Sequence, residues 1–125
     1  MSKVFLDTNI LIDATQDRGN KDLAETLDQH NTYISPLSIH ILFYSHKIKV
    51  PSIQASETLS QFGIVDLTKS ILDKSLEGPS SDLEDNIQMH SAAEVECDFF
   101  ITRDKNLLKL RYFGKTQIID HLEKN

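Results

Sequence analysis

Short apolar runs that alternate with longer segments of helical periodicity constrain the fold of this chain more than any other feature. The pattern predicts strands at 3–6, 32–34, 64–67, 98–102 and 116–119. It predicts helices over 9–14, 21–30, 38–43 and beyond, 51–62, 68–76 and 82–96, with a last helix after residue 119. Strands separated by helices form a mostly parallel sheet that is covered on both faces. We therefore expect an α/β fold, a three-layer α/β/α sandwich with a mostly parallel sheet of four to five strands.

Turn and cap residues mark the boundaries of these helices. Ser38 and Thr68 are expected to cap helices, and Pro51 suits the first turn of another. Ser81 or Asp82 is expected to cap the helix that leads into the strand 98–102.

The composition indicates a single domain over residues 1–125. A chain of this length buries roughly two thirds of its unfolded surface, which is enough for one core. Its single cysteine, Cys97, cannot form an internal disulfide, which favours a reducing compartment. The sequence has no signal-peptide pattern, and no stretch reaches the roughly 18 apolar residues of a membrane span. We therefore expect a cytoplasmic protein without a membrane partner.

Acidic residues lie where a parallel sheet would bring them together. Asp7 ends the first strand, and Asp104 follows the strand 98–102 by two residues. Asp82 and Asp85 begin the preceding helix three residues apart, on the same side of it. Ligands of open parallel sheets bind beyond the carboxyl ends of the strands. We therefore expect three or four carboxylates to converge, although each one alone also suits an ordinary cap or turn.

Converging carboxylates point to a divalent cation. Like charges within several ångströms repel and raise one another's pKa, and a bound cation removes that penalty. Oxygen donors favour Mg²⁺ or Mn²⁺, and the chemistry that follows is metal-assisted hydrolysis of a phosphodiester. The formal net charge of -6 argues against a protein that wraps nucleic acid non-specifically, but it permits such an enzyme.

Three stretches of the sequence resemble the PIN domain family. The string FLDTNILID at 5–13 looks like the family's opening motif, in which the first strand ends in a catalytic Asp followed by Thr-Asn. The stretch SDLEDNIQMHSAAEVECDFFITRDKNLL at 81–108 is similar to the second half of the motif set. Between them, TYISPLSIHILFY at 32–44 resembles the family's second strand, Ser-Pro and helix. The similarity covers nearly the whole chain and is closest to the short VapC-like toxins.

The resemblance implies a divalent-metal-dependent endoribonuclease that acts as the toxin of a toxin–antitoxin pair. It implies that Asp7, Asp85 and Asp104 bind Mg²⁺ or Mn²⁺, with Asp82 as an accessory acid. Hydrogen bonds from Asn9 and Thr102 are expected to support these carboxylates, although either residue also suits a local turn or cap. The resemblance further implies an RNA substrate, an antitoxin protein as partner and a homodimer.

One position departs from the family pattern. PIN domains usually carry a glutamate in the helix after the second strand, but the matching position here is His40, and no acid lies between Ser35 and Lys49. An imidazole ligand would remove one negative charge and favour Mn²⁺ or a later transition metal over Mg²⁺. Two hypotheses follow: an active enzyme with His40 among its ligands, or a catalytically impaired PIN-like module that binds RNA or a protein. A receiver domain fits less well, because the first strand ends in one acid and does not follow an acidic pair. An aspartyl phosphatase also fits less well, because Asn9 stands where it needs a second Asp.

A basic stretch follows the acidic one. Residues 77–98 contain seven acidic residues and no Lys or Arg, whereas 103–115 contain five basic residues and one acid. We predict that the basic stretch holds the RNA backbone beside the site, the alternative being a solvated helix face. The predicted RNA-binding residues are Arg103, Lys105, Lys109 and Arg111, with Lys115 close by.

Large apolar residues over 38–62 are expected either to complete the core or to cover a partner.

Overall fold

A computed structural model describes residues 2–16 and 21–123 of the chain. Helices and strands alternate along most of its length, as the hydrophobic pattern predicts. The elements in chain order are β1 (Lys3–Leu6), α1 (Thr8–Gln16), α2 (Lys21–Leu27), β2 (Asn31–Ile34), α3 (Pro36–Ser45), α4 (Ile53–Leu59), β3 (Gly63–Ile64), α5 (Lys69–Glu77), α6 (Leu83–Glu94), β4 (Phe99–Ile101), α7 (Lys105–Leu108), β5 (Tyr112–Phe113) and β6 (Thr116–Ile119).

The described strands form one six-stranded sheet in the order β3-β2-β1-β4-β6-β5. All neighbouring strands are parallel except β5 and β6, which form a short antiparallel hairpin. The chain builds the sheet outward from β1 to β2 and β3, then crosses over to β4 and β6 on the other side. This reversal puts the topological switch point, where open α/β sheets bind their ligands, between the carboxyl ends of β1 and β4. The α/β prediction is confirmed, and β5 is the strand beyond the expected four to five.

Helices cover both faces of the sheet. The apolar side chains of β1 alternate between the two faces, so each face has to be covered. Val4 and Leu6 point to one face, where they belong to a core that also contains Leu11 and Leu27 of α1 and α2. Phe5 points to the other face, where it stacks on Phe100 with ring centroids 5.7 Å apart. That second core is completed mainly by α5 and α6, through Ile71, Ile87, Met89 and Ala92. The two cores give the three-layer arrangement that the sequence predicts.

Helix α3 begins three residues before the position expected from the sequence. The predicted cap, Ser38, is fully buried inside the helix, and Ser35 is the cap instead. The hydroxyl of Ser35 accepts a hydrogen bond from the amide of Leu37 at 3.1 Å. Pro36 occupies the first turn, where its missing N–H costs nothing, so the proline that ends β2 also begins α3.

Three further boundaries differ from their predictions. Pro51 is not in a first turn, because α4 begins at Ile53 with Ser52 as its cap. The strand expected at 64–67 shortens to Gly63–Ile64. Residues 120–123 are not helical, and the rest of the predicted last helix, 124–125, lies outside the described residues.

Two predicted caps are confirmed. Thr68 accepts from the amide of Ile71 at 3.2 Å, and Asp82 accepts from the amide of Asp85 at 3.0 Å. Each fixes the start of its helix, α5 or α6. In the stretches 2–16 and 21–123, no helix has both the length and the apolar character needed to cross a membrane.

Candidate active site

Asp7 lies at the carboxyl end of β1, directly at the switch point of the sheet. It is only 6% exposed. Its Oδ2 accepts from the hydroxyl of Thr102 at 2.7 Å, and its Oδ1 accepts from the amide of Thr8 at 2.8 Å. Because Thr102 directly follows β4, the strand beside β1, the sheet itself brings this pair together. The structure thus contains the hydrogen bond that the sequence predicts for Thr102.

Burial and nearby acids disfavour the ionised form of the Asp7 carboxyl group. Burial is the largest cause of its raised pKa, which the hydrogen bonds from Thr102 and Thr8 lower in part. The carboxylates of Asp104 and Asp82 raise the pKa further. Asp7 is therefore held in place by two donors yet repelled by its acidic neighbours.

Asp85 has the most strongly shifted carboxyl group at this edge. Burial is again the largest cause, and the charges of Asp82, Asp7, Asp104 and Glu84 add to it, so that the pKa of Asp85 rises from 3.8 to about 7. A residue that feels four other carboxylates lies where acids converge. We call these five residues the acidic cluster: Asp7, Asp82, Glu84, Asp85 and Asp104.

Two members of the acidic cluster also cap helices. Asp82 caps α6, and Asp104 caps the short helix α7 by accepting from the amide of Asn106 at 2.8 Å. The amide of Asp104 in turn donates to the hydroxyl of Thr102 at 3.1 Å. The capping role and the contribution to the cluster are therefore compatible, since a cap fixes the backbone while the charge still acts on its neighbours.

Glu84 is a member of the cluster that the sequence reasoning did not select. Its Oε2 accepts from the hydroxyl of Thr8 at 3.1 Å, and burial raises its pKa, with Asp7 and Asp82 adding to the effect. Helical spacing pairs Asp82 with Asp85 and gives no reason to select the acid between them. The signal that points to Glu84 is its place in the first turn of α6, directly beside Asp85.

A buried polar network lies beneath these acids and joins three helices. The hydroxyl of Thr8 in α1 lies 2.8 Å from that of Ser38 in α3. From α6, the amide nitrogen of Gln88 donates to Thr8 at 3.0 Å and to Ser38 at 2.7 Å. All three side chains are buried, and Ser38 and Gln88 completely so.

His40 does not join the acidic cluster. It is exposed, and the two residues between it and the buried Ser38 amount to a rotation of about 200° around α3. The side of α3 that faces the cluster is therefore the Ser38 side. This placement gives no support to His40 as a metal ligand.

Asn9 does not take the supporting role expected of it. It is exposed on the first turn of α1, and the amide of its neighbour Thr8 is the group that holds Asp7 from this helix. A backbone N–H at the start of a helix is free to bind a carboxylate, whatever the side chains that follow.

Of the five basic residues of 103–115, Arg103 and Lys105 lie at the edge that carries the cluster, whereas the carbonyl of Arg111 accepts from the amide of Ile118, which pairs with Phe100 in the middle of β4. Arg103 and Lys105 directly follow β4, and Lys109 and Arg111 lie between α7 and β5. All four are exposed, and Arg103 forms an ion pair with Asp13 of α1. Lys115 precedes β6, which runs parallel to β4, so it lies at the opposite edge of the sheet. The prediction that all five basic residues lie near the metal centre is therefore wrong for Lys115, because the β5–β6 hairpin turns the chain to the other edge.

The donor chemistry of the acidic cluster suits a hard divalent cation. Carboxylate oxygens are the preferred ligands of Mg²⁺ and Mn²⁺, and a cation would relieve the repulsion that raises these pKa values. Within residues 2–16 and 21–123, no three His, Cys, Asp or Glu side chains are arranged to hold a metal ion as they stand. Mg²⁺ is usually bound through one or two carboxylates together with several waters. The cluster fits the cation in charge and in ligand type.

The apolar residues of 38–62 divide between core and surface. Leu42 is buried, and Leu59 and Phe62 pack against the α1–α2 core. Tyr44 and Ile53 are instead about four-fifths exposed, at 82% and 77%. The expectation that these residues complete the core is therefore met by Leu42, Leu59 and Phe62, and the covering of a partner by the exposed ones stays a prediction.

The architecture matches that of solved toxin–antitoxin structures. A toxin–antitoxin complex from Klebsiella pneumoniae superposes with a TM-score of 0.66 at 24% identity, over 81% of this chain and 86% of that chain. VapBC2 from Rickettsia felis, bound to a DNA fragment from its promoter, gives a TM-score of 0.69 at 14% identity, over 94% and 97% of the two chains. FitAcB from Neisseria gonorrhoeae gives 0.65 at 14% identity, over 92% and 95%.

These similarities concern the fold, because the sequence identities are low. No protein-family model and no curated protein matches the sequence. The PIN-like fold that the sequence resemblance implies is confirmed by the structural matches, which cover most of both chains in each case.

Proposed function

We propose that this chain, whose fold is PIN-like, is a divalent-metal-dependent endoribonuclease and the toxin of a toxin–antitoxin pair. The observation that carries the proposal is the acidic cluster, which lies at the switch point between β1 and β4. The similarity to structures described as toxin–antitoxin complexes supports the biological setting. RNA in the cytoplasm is the proposed substrate.

Asp7, Asp85 and Asp104 are the residues proposed to hold Mg²⁺ or Mn²⁺. When bound, such a cation lowers the pKa of an attacking water and neutralises charge on the phosphate. Thr102 and the amide of Thr8 fix the orientation of Asp7, which keeps one ligand in place before metal arrives. Asp82 adds negative charge while it caps α6.

The exposed basic residues next to the cluster are proposed to bind the RNA backbone. Arg103 and Lys105 directly follow the carboxyl end of β4, so phosphates bound there would lie beside the acidic cluster, and Lys109 and Arg111 are proposed to bind the strand further along, toward β5. Such phosphate contacts fix the position of an RNA strand without recognising its sequence. Their positive charge attracts the RNA toward a site that is itself negatively charged.

A cleavage assay with matched variants tests the proposal. Labelled single-stranded RNA is incubated with the purified chain in Mn²⁺, Mg²⁺ or EDTA, and the products are separated by length. The parent and Glu94→Gln, which removes an exposed acid at the far end of α6, should cleave internally with metal and not with EDTA. Asp7→Asn and Asp85→Asn should lose cleavage by at least about tenfold. A parent that cleaves no RNA with either metal, or an Asp7→Asn variant that matches it, would refute the proposal.

The partners proposed for this protein are an antitoxin and a second copy of the chain. The exposed apolar side chains of Tyr44, Val50 and Ile53 are candidates for such contacts. Light scattering after size-exclusion chromatography measures the oligomeric state. A parent that remains monomeric at high concentration would contradict the homodimer.

A catalytically impaired module that binds RNA or a protein is the second candidate. One observation favours it: α3 contributes the hydroxyl of Ser38 beside the cluster and contains no acid. Metal titration separates the two candidates, because an impaired module would bind neither Mn²⁺ nor Mg²⁺ at the cluster.

A further inference from the structure

Helix α3 lacks an acid, but its inward side is connected to one on another helix. Ser38 contacts Thr8, and Thr8 contacts the carboxylate of Glu84 at the start of α6. These contacts join α1, α3 and α6 at Thr8, the residue that directly follows Asp7 at the end of β1. Such contacts can either satisfy buried polar groups or hold Glu84 in a particular place.

The donors and acceptors of the network allow one arrangement that satisfies every contact. Gln88 donates through its amide nitrogen to both hydroxyls. Each hydroxyl has a single proton. If Ser38 donates to Thr8, then the proton of Thr8 is left for Glu84, at 3.1 Å. The network therefore directs a donor at the Glu84 carboxylate.

The network leaves one of its own groups unsatisfied. Gln88 is fully buried, and in the part of the chain that the structure describes its Oε1 has no hydrogen-bond partner. A buried polar atom without a partner destabilises a fold, so a glutamine is a poor choice for core packing alone. The same side chain is well suited to supplying two N–H donors to the hydroxyls above it.

We infer that Glu84 supplies, from α6, the site carboxylate that α3 lacks, and that Gln88, Ser38 and Thr8 hold it in position. The inference rests on the proposed function, since it assigns Glu84 to the same metal site. It explains how a PIN-like fold without an acid in α3 keeps an additional carboxylate beside Asp7. Glu84 binds or orients the cation, while Ser38 and Gln88 are positioning residues.

Mn²⁺ binding to the full chain tests both parts of the inference. Affinity is measured by isothermal titration, and the free Mn²⁺ signal in electron paramagnetic resonance gives an independent count of bound metal. Glu84→Gln should weaken binding about 10- to 100-fold, whereas Glu94→Gln should leave it unchanged. Ser38→Ala should weaken binding about tenfold. Its control is Ser75→Ala, which removes a buried hydroxyl that bonds only within α5. Thermal melts in EDTA show that each variant is folded.

The possible outcomes separate the inference from the proposed function. If Glu84→Gln binds Mn²⁺ like the parent while Asp85→Asn does not bind, Glu84 is no part of the site and the inference is overturned, although the proposed function stands. If Ser38→Ala matches Ser75→Ala, the positioning role of the network is overturned. A parent that binds no Mn²⁺ overturns the proposed function and the inference together.

Discussion

Removal of the Asp85 carboxylate should stabilise the metal-free protein at high pH. The pKa of this group rises from 3.8 to about 7 in the folded chain, so the folded state binds the proton more tightly than the unfolded state. A group whose pKa is raised on folding contributes stability that is present below its unfolded pKa and is lost as pH rises through its folded pKa. For Asp85 the loss extends from about pH 4 to about pH 7. Asp85→Asn removes the ionisable group, so the variant does not lose this stability as the pH rises.

The size of the effect follows from the pKa and from exposure. For a fully buried group, a rise in pKa from 3.8 to about 7 corresponds to about 4 kcal/mol. Asp85 is only half-buried, and solvent and salt reduce exposed charge interactions to about 1 kcal/mol or less. We therefore expect Asp85→Asn to raise the free energy of unfolding by about 1 kcal/mol at pH 8.5 and by less than half of that at pH 5, where only the first part of the loss has occurred.

Urea denaturation followed by circular dichroism measures this difference. The parent, Asp85→Asn and the control Glu94→Gln are compared in EDTA at low salt, at pH 5 and at pH 8.5. Mn²⁺ is then added at the higher pH, where ligand binding should stabilise the parent more than Asp85→Asn. At pH 8.5, Asp85→Asn would thus be more stable than the parent without metal, and Mn²⁺ would stabilise it less than it stabilises the parent.

Either of two results would contradict this role of the Asp85 charge. Asp85→Asn could be less stable than the parent at pH 8.5, which would mean that local contacts of Asp85 outweigh the repulsion. Alternatively, its gain could be the same at both pH values and be matched by Glu94→Gln, which would mean that the acidic cluster does not cause it.

Three other predictions concern the neighbours of the cluster. Thr102→Val should lower the free energy of unfolding by about 1–3 kcal/mol in urea, because Asp7 loses a buried donor, whereas Thr102→Ser should stay close to the parent. His40→Glu should leave the Mn²⁺ affinity unchanged in isothermal titration, since His40 faces away from the cluster; tighter binding would contradict this orientation. Lys109→Ala and Arg111→Ala should each weaken RNA binding in EDTA and reduce the slope of log K against log salt by about 0.7, with an unchanged slope counting against a phosphate contact.

Local signals were enough to predict most of the fold. Alternating apolar runs predicted the central strands, since a strand buried on both faces has to be apolar along its length. The caps at Thr68 and Asp82 depend on side chains that bond to amides three residues away, so sequence alone can indicate them. Short elements were predicted less well: β5 and β3 have two residues each and exist through their pairing with longer strands.

The sequence by itself determined which acid lies at the end of the central strand and which residues cap the helices. Asp7 follows β1 directly, so its position needs only the strand to be parallel to its neighbours. Only the tertiary structure decided which side of each helix faces that acid. A difference of two residues turns His40 away while Ser38 faces inward, and the packing of α6 brings Glu84 to Thr8 across 76 residues of sequence. Helix rotation depends on the fit of whole apolar faces against the sheet, which no short motif contains.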